Sequence, residues 1–187
     1  MRLAYVLFSG ITLLDFVGFY DPISRLKSQG YLPDLSWDLC AYEATVADGF
    51  RLGLTIDRVR PDLGEYDMIF VPGGFGSRRL VDDADWLDWL RTAAPVPLKV
   101  SVCTGSLLLG AAGFLAGRRA TTHFSEYDAL QQWAGEVVRG EIVVEDDGII
   151  TGGAVASSLE LGLYVVEKLA GPQGRGEVRR AMGLPIY

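Results

Sequence analysis

The chain has 187 residues, with 17 Lys and Arg against 24 Asp and Glu, a formal charge of -7 and hydrophobic residues at 49%. One core suffices for a chain this long. The acidic balance excludes nucleic acid and anionic membrane surfaces as partners, since both demand basic patches, and the hydrophobic content excludes disorder. Two cysteines, Cys40 and Cys103, and the single His123 are too few for a zinc site or a disulfide scaffold. No apolar stretch reaches transmembrane length and the first residues lack a cleavable signal pattern, so a cytoplasmic protein is expected.

Short β-rich runs alternate with helical patterns, which predicts a single α/β domain: an open, mostly parallel sheet with helices on both faces. Leu3 to Phe8 is apolar throughout and reads as a buried strand. After Ser9-Gly10, Leu14 to Ser28 reads as a helix with an irregular start. Trp37, Leu39 and Ala41 alternate with Asp38, Cys40 and Tyr42, the pattern of a half-exposed strand. Met68 to Val71 is another buried strand, ended by Pro72-Gly73-Gly74. Asp82, Asp83 and Asp85 then crowd a helix start, with Trp86, Leu90 and Ala93 as its inner face. Val100 to Val102 reads as a strand and Thr104 to Leu115 as a helix. A further helix is expected near Ser125, with Asp128 as its capping-box partner. Glu141 to Thr151 reads as a hairpin turning through Asp146-Asp147-Gly148. The last long helix is expected over Val155 to Ala170, with Val155, Leu159, Leu163, Val166 and Ala170 on one stripe.

Chemistry concentrates at Val100-Ser101-Val102-Cys103-Thr104-Gly105-Ser106. A strand runs into a helix with a cysteine at the junction, the arrangement of a nucleophile elbow, and Gly105 permits close strand–helix approach. In open α/β sheets ligands bind outside the carboxyl ends of strands. The helix N-terminus favours anions, so a lowered Cys103 pKa is expected. Cys40, mid-strand, reads as a structural core residue.

Pro72-Gly73-Gly74-Phe75-Gly76 lies at an equivalent strand end. It lacks the third glycine of a dinucleotide fingerprint and the Lys-Ser/Thr ending of a phosphate loop. Read for chemistry, its Gly73 and Gly74 amides join the Thr104 amide as oxyanion-type donors; read blandly, it is a tight turn. Asp15, between Leu14 and Phe16, reads either as a desolvated acid able to hand over a proton or as the N-cap of the following helix. His123 precedes a helix, and alone is more often a structural histidine than a base.

Taken together, Leu14-Asp15-Phe16-Val17-Gly18, Val71-Pro72-Gly73-Gly74-Phe75-Gly76, Ser101-Val102-Cys103-Thr104-Gly105-Ser106, Ala120-Thr121-Thr122-His123 and Thr151-Gly152-Gly153 resemble the ThiJ/PfpI superfamily. That superfamily has the class I glutamine amidotransferase-like fold, and the resemblance is closest to its isonitrile hydratase branch. The resemblance implies Cys103 as nucleophile, Asp15 as acid, Thr104 beside the nucleophile and the Gly73-Gly74 turn facing it. It implies a small electrophilic substrate, no cofactor or metal, and a homodimer; Phe16, Phe19 and Tyr20 are candidate interface residues, with burial within the monomer as an equal reading.

Departures separate the branches. Thr104 stands where the protease-like branch has a histidine, which removes an adjacent Cys-His dyad. Asp15 stands where the glyoxalase or deglycase branch usually has glutamate, although His123 matches the histidine those enzymes place near the cysteine. Two other readings therefore stand beside the hydratase: an enzyme of small 2-oxoaldehydes, and a redox or ligand sensor related to the N-terminal domains of AraC-type regulators.

Overall fold

The computed structural model describes residues 1–185. The chain opens with β1 (Arg2–Leu7), α1 (Leu13–Ser28) and β2 (Ser36–Ala41). A small hairpin, β3 (Thr45–Ala47) with β4 (Gly53–Thr55), leads into β5 (Arg58–Val59) and β6 (Met68–Val71). Next come α2 (Ser77–Leu80), α3 (Ala84–Arg91), β7 (Leu98–Val102) and α4 (Gly105–Ala111). The pair β8 (Arg119–Ala120) and β9 (Glu136–Val137) brackets α5 (Tyr127–Leu130). The hairpin β10 (Val143–Asp146) and β11 (Ile149–Gly152) precedes α6 (Ser157–Ala181).

Seven strands form one sheet in the order β10-β11-β7-β6-β1-β2-β5. Only β10 runs antiparallel to its neighbour; the other pairings are parallel. Side chains alternate faces along a strand, so a strand buried at every position must be covered on both sides. Leu3 to Leu7, β6 and β7 all meet that condition. This is the expected α/β architecture.

The aromatic run of α1 faces inward. Phe19 stacks on Phe70 of β6 with ring centroids 4.0 Å apart, and Phe16 meets Tyr5 edge-on at 5.1 Å. Phe16 and Phe19 are thus core residues of the monomer, and Tyr20 packs against Tyr5 and Trp37. Phe16 and Phe19 are therefore not free to form an interface, whereas Tyr20 is only partly buried. The exposed apolar positions of α1 are Leu14 and Val17.

Three helical expectations need correction. The helix after Cys103 stops at Ala111, where Gly113 adopts φ +94. Near Ser125 only a 3-10 turn, Phe124–Glu126, and the single turn of α5 form. The His123 ring caps the 3-10 turn by accepting from the Ser125 amide at 3.2 Å, while Asp128 pairs with Arg139 at 2.7 Å. There is no Ser125–Asp128 capping box. Finally, α6 runs on to Ala181 through a kink where Gly171 takes φ +75 before Pro172. Of its expected inner stripe Leu163 and Val166 are fully buried, whereas Val155, Leu159 and Ala170 are partly buried. The β10–β11 turn falls at Asp147-Gly148, both with positive φ, as a two-residue hairpin turn requires.

Candidate active site

Neighbouring parallel strands β1, β6 and β7 end side by side, and each hands the chain to a turn that meets the other two. After β1, Gly10 turns with φ +86 and its carbonyl accepts from the Gly76 amide at 3.2 Å. The Thr12 amide donates to the Gly73 carbonyl at 2.9 Å, tying the start of α1 to the turn after β6. These approaches require missing side chains. A Cβ on Gly73 would lie 2.6 Å from the Thr104 nitrogen and 2.8 Å from Cys103 Cβ, and one on Gly105 would lie 2.2 Å from the Val71 carbonyl.

Cys103 occupies the junction of β7 and α4 with φ +55, a left-handed conformation unfavourable for a side chain with a Cβ. Its backbone is held on both sides. The amide donates to the Gly153 carbonyl at 2.8 Å and the Gly152 carbonyl at 3.1 Å. The carbonyl accepts from Thr122 Oγ1 at 2.9 Å and Ser106 Oγ at 3.0 Å. Local strain at one residue persists where neighbours over-determine it.

Asp15 is fully buried in the first turn of α1 and is not its N-cap, a position held by Thr12. Its Oδ2 accepts from the Gly73 amide at 2.9 Å, whereas Oδ1 has no hydrogen-bond partner among the described residues. Burial pushes its pKa from an ordinary 3.8 to about 7, against the Gly73 amide and the Cys103 side chain, which pull it down. Asp15 and Cys103 therefore face one another.

The thiol itself departs from expectation. Burial, and then the negative charge of Asp15, push Cys103 up to about 12, outweighing the Thr104 amide and hydroxyl that favour the thiolate. A two-turn helix end does not overcome desolvation, so the resting group is a thiol beside a carboxyl of near-neutral pKa.

The oxyanion expectation also changes. The Gly73 amide is committed to Asp15, and the Gly74 amide donates to Thr104 Oγ1 at 2.9 Å. Neither glycine offers a free donor, which leaves the Thr104 amide as the backbone donor acting on the sulfur. Thr104 Oγ1 further accepts from Ser77 Oγ at 2.9 Å.

Above the sulfur opens a cavity of about 210 Å³ bounded by Thr12, Gly74, Phe75, Arg78, Cys103, Thr104, His123, Ser125 and Val155. Phe75 is among the most exposed large apolar residues described, as is Phe124, whose ring packs beside His123. Arg78 pairs with Glu126 and lies over the Phe75 ring, its guanidinium carbon 4.8 Å from the ring centroid. His123 lines the same cavity but makes no hydrogen bond to Cys103; its Nδ1 meets the Ser125 hydroxyl at 2.8 Å. Sequence reasoning missed Ser77 and Arg78, because their placement comes from tertiary approach and no local motif marks them; Thr122 lies within the Ala120–His123 motif, but its bond to the Cys103 carbonyl could not be read from it. Among the described residues no cluster of three or more His, Cys, Asp or Glu could hold a metal ion. No described helix is long and apolar enough to cross a membrane.

The family model for DJ-1/PfpI matches residues 6–168. The chain belongs to the DJ-1/PfpI family. Within it, the chain is 35% identical over 173 residues to isonitrile hydratase of Pseudomonas putida, covering 91% of this chain and 73% of that one. It is 29% identical over 172 residues to the HTH-type transcriptional regulator CdhR of Pseudomonas aeruginosa, covering 90% of this chain and 51% of the regulator. The chain thus spans about half the regulator's length. A solved ThiJ/PfpI family protein from Pseudomonas syringae superposes with a TM-score of 0.87 at 28% identity, over 100% of this chain and 76% of that one.

Proposed function

We propose that this DJ-1/PfpI protein is a cofactor-independent enzyme that hydrates small isonitriles to N-substituted formamides. The observation that carries the reading is the buried Asp15 carboxyl set against the Cys103 thiol at the floor of a small cavity. Likeness to an isonitrile hydratase over most of the chain supports it.

Asp15, as carboxylate, takes the thiol proton, and the sulfur adds to the terminal isonitrile carbon. Asp15 returns that proton to the same carbon, leaving a thioimidate, R–N=CH–S–Cys103. Water adds to the thioimidate carbon, a proton passes to nitrogen, and the C–S bond breaks. The products are R–NH–CHO and the thiol; one isonitrile and one water are consumed. Asp15 suits both proton transfers because its pKa of about 7 lets it hold or release the proton near neutrality. Burial keeps bulk water from quenching the carbanionic carbon, while the open cavity admits one reacting water. Nucleophilic addition of this kind splits one hard hydration into two easier steps.

In the same reading Thr104 acts on the sulfur, the Gly73-Gly74 turn holds Asp15 and Thr104 in place, and His123 lines the substrate space. The reading includes a homodimer, tested by size-exclusion chromatography at micromolar concentration; elution as a monomer removes it. For the activity, the assay is formamide production from an alkyl isonitrile by wild type beside Cys103→Ala. Turnover that disappears in the variant is expected. No turnover by wild type, with turnover of a 2-oxoaldehyde instead, replaces this reading with the glyoxalase one.

A further inference from the structure

Thr104 Oγ1 has two lone pairs and one proton, and its neighbours dictate how each is used. The Gly74 amide donates to it at 2.9 Å, which fills one lone pair. Ser77 Oγ lies 2.9 Å away, on the first residue of α2, fully buried. A hydroxyl that accepts from both partners has its own proton left over. That proton has two destinations. One is the Gly74 carbonyl at 3.2 Å, a long contact to an oxygen already accepting from the Ser77 amide, also at 3.2 Å. The other is the Cys103 sulfur: Thr104 Oγ1 and Cys103 Cβ each lie 2.8 Å from the point that a Cβ on Gly73 would occupy, and both residues line the cavity.

We propose that Ser77 is a positioning residue: by donating to Thr104 Oγ1 it fills the second lone pair and turns the Thr104 proton toward the Cys103 sulfur. Ser77 touches neither the sulfur nor the cavity and acts through Thr104 alone. Its hydroxyl has an alternative acceptor in the Gly74 carbonyl at 2.8 Å, so the network has two hydrogen-bond registers. With a neutral thiol, Ser77 satisfies the Gly74 carbonyl and the Thr104 proton has no charge to meet. As negative charge grows on sulfur, Ser77 rotates to Thr104 and the Thr104 proton swings to the sulfur. A hydrogen bond to an ionised acceptor is stronger than one to a neutral carbonyl, and this difference drives the change of register. The device offsets part of the burial cost that otherwise keeps Cys103 protonated.

The inference rests on Cys103 being the reacting thiol but not on what it reacts with, so its test needs no substrate. The rate of Cys103 alkylation by iodoacetamide, followed by mass spectrometry of its own peptide across neutral to alkaline pH, reads the thiolate population. Ser77→Ala is expected to slow alkylation about tenfold at any pH below the midpoint, equivalent to an upward shift of about one pH unit. Thr104→Val is expected to slow it at least as much, and Ser77→Ala/Thr104→Val no more than Thr104→Val alone. Melting curves identify a variant that has not folded. In that event Ser77→Cys, nearly isosteric and a weak donor, takes the place of Ser77→Ala, with its own thiol resolved on a separate peptide. An unchanged rate in the Ser77 variant, or effects that add in the double variant, overturns the proposal. Absence of isonitrile turnover overturns the functional reading and leaves this result standing.

Discussion

Asp15→Asn separates what the carboxyl does for chemistry from what it costs the fold. The substitution keeps the shape and an oxygen able to accept from the Gly73 amide, and it removes the charge. In wild type the folded protein holds the Asp15 proton up to about pH 7, whereas an unfolded chain releases it near 3.8. Between those values the native state binds more protons than the unfolded state, so this group's contribution to stability falls as pH rises through the window. Below it nothing is lost. About three pKa units correspond to at most about 4 kcal/mol, and relaxation around the charge brings the working figure nearer ~2 kcal/mol. For a chain of this size that is a rise in melting temperature of roughly 4–8 °C for Asp15→Asn at about pH 8, shrinking toward zero at about pH 4. Turnover is expected to fall by ~10² or more, since the proton donor is gone. The assay is a set of melting curves for both proteins at several pH values, beside formamide production. A stability difference of equal size at both ends of the pH range would refute the argument, because it would show that Asp15 is not ionising in place.

Gly105→Ala puts a methyl 2.2 Å from the Val71 carbonyl and 2.7 Å from the Pro72 carbonyl, both backbone atoms that cannot rotate away. A loss of roughly 3 kcal/mol is expected in chemical denaturation, and a loss below about 1 kcal/mol would mean that β6 and α4 do not approach as described. Glu126→Gln leaves Arg78 without its counter-ion at the cavity mouth. The ratio of kcat/KM for isocyanoacetate over a neutral alkyl isonitrile is then expected to rise about fivefold, the equivalent of one exposed ion pair worth ~1 kcal/mol. An unchanged ratio would remove Arg78 from substrate selection.

The buried pair of Cys103 and Asp15 was legible in the sequence because it lies where local pattern is strongest. Cys103 follows an apolar β-branched run and precedes Gly105, and Asp15 sits between large apolar neighbours one turn into a helix. What was not legible was how the turn amides are shared out. Gly73 and Gly74 read as free donors in isolation, yet Asp15 and Thr104, 58 and 30 residues away, consume them. The pKa of Cys103 was misjudged for the same reason: a helix start can be read locally, but desolvation by three converging turns cannot. The segment after His123 carries the composition of a helix start and yields only short turns, its Ser125 amide capped by an imidazole in place of a carboxylate. At the other end, the extension of α6 depends on Gly171 and Pro172 bending the chain so that Arg175 and Arg179 return to Glu160. That ion-pair return is invisible to periodicity.

The way Cys103 is held divides the site into two layers with different freedom to change. Its amide and carbonyl are gripped by Gly152, Gly153, Ser106 and Thr122, and its neighbours Gly73 and Gly105 admit no side chain. Nearly any substitution in that floor disturbs the fold along with the chemistry. The rim, by contrast, includes the exposed side chains of Phe75 and Arg78, standing on short elements. They can be exchanged at little structural expense, so a library confined to those positions varies the cavity mouth while the floor around Cys103 stays as it is.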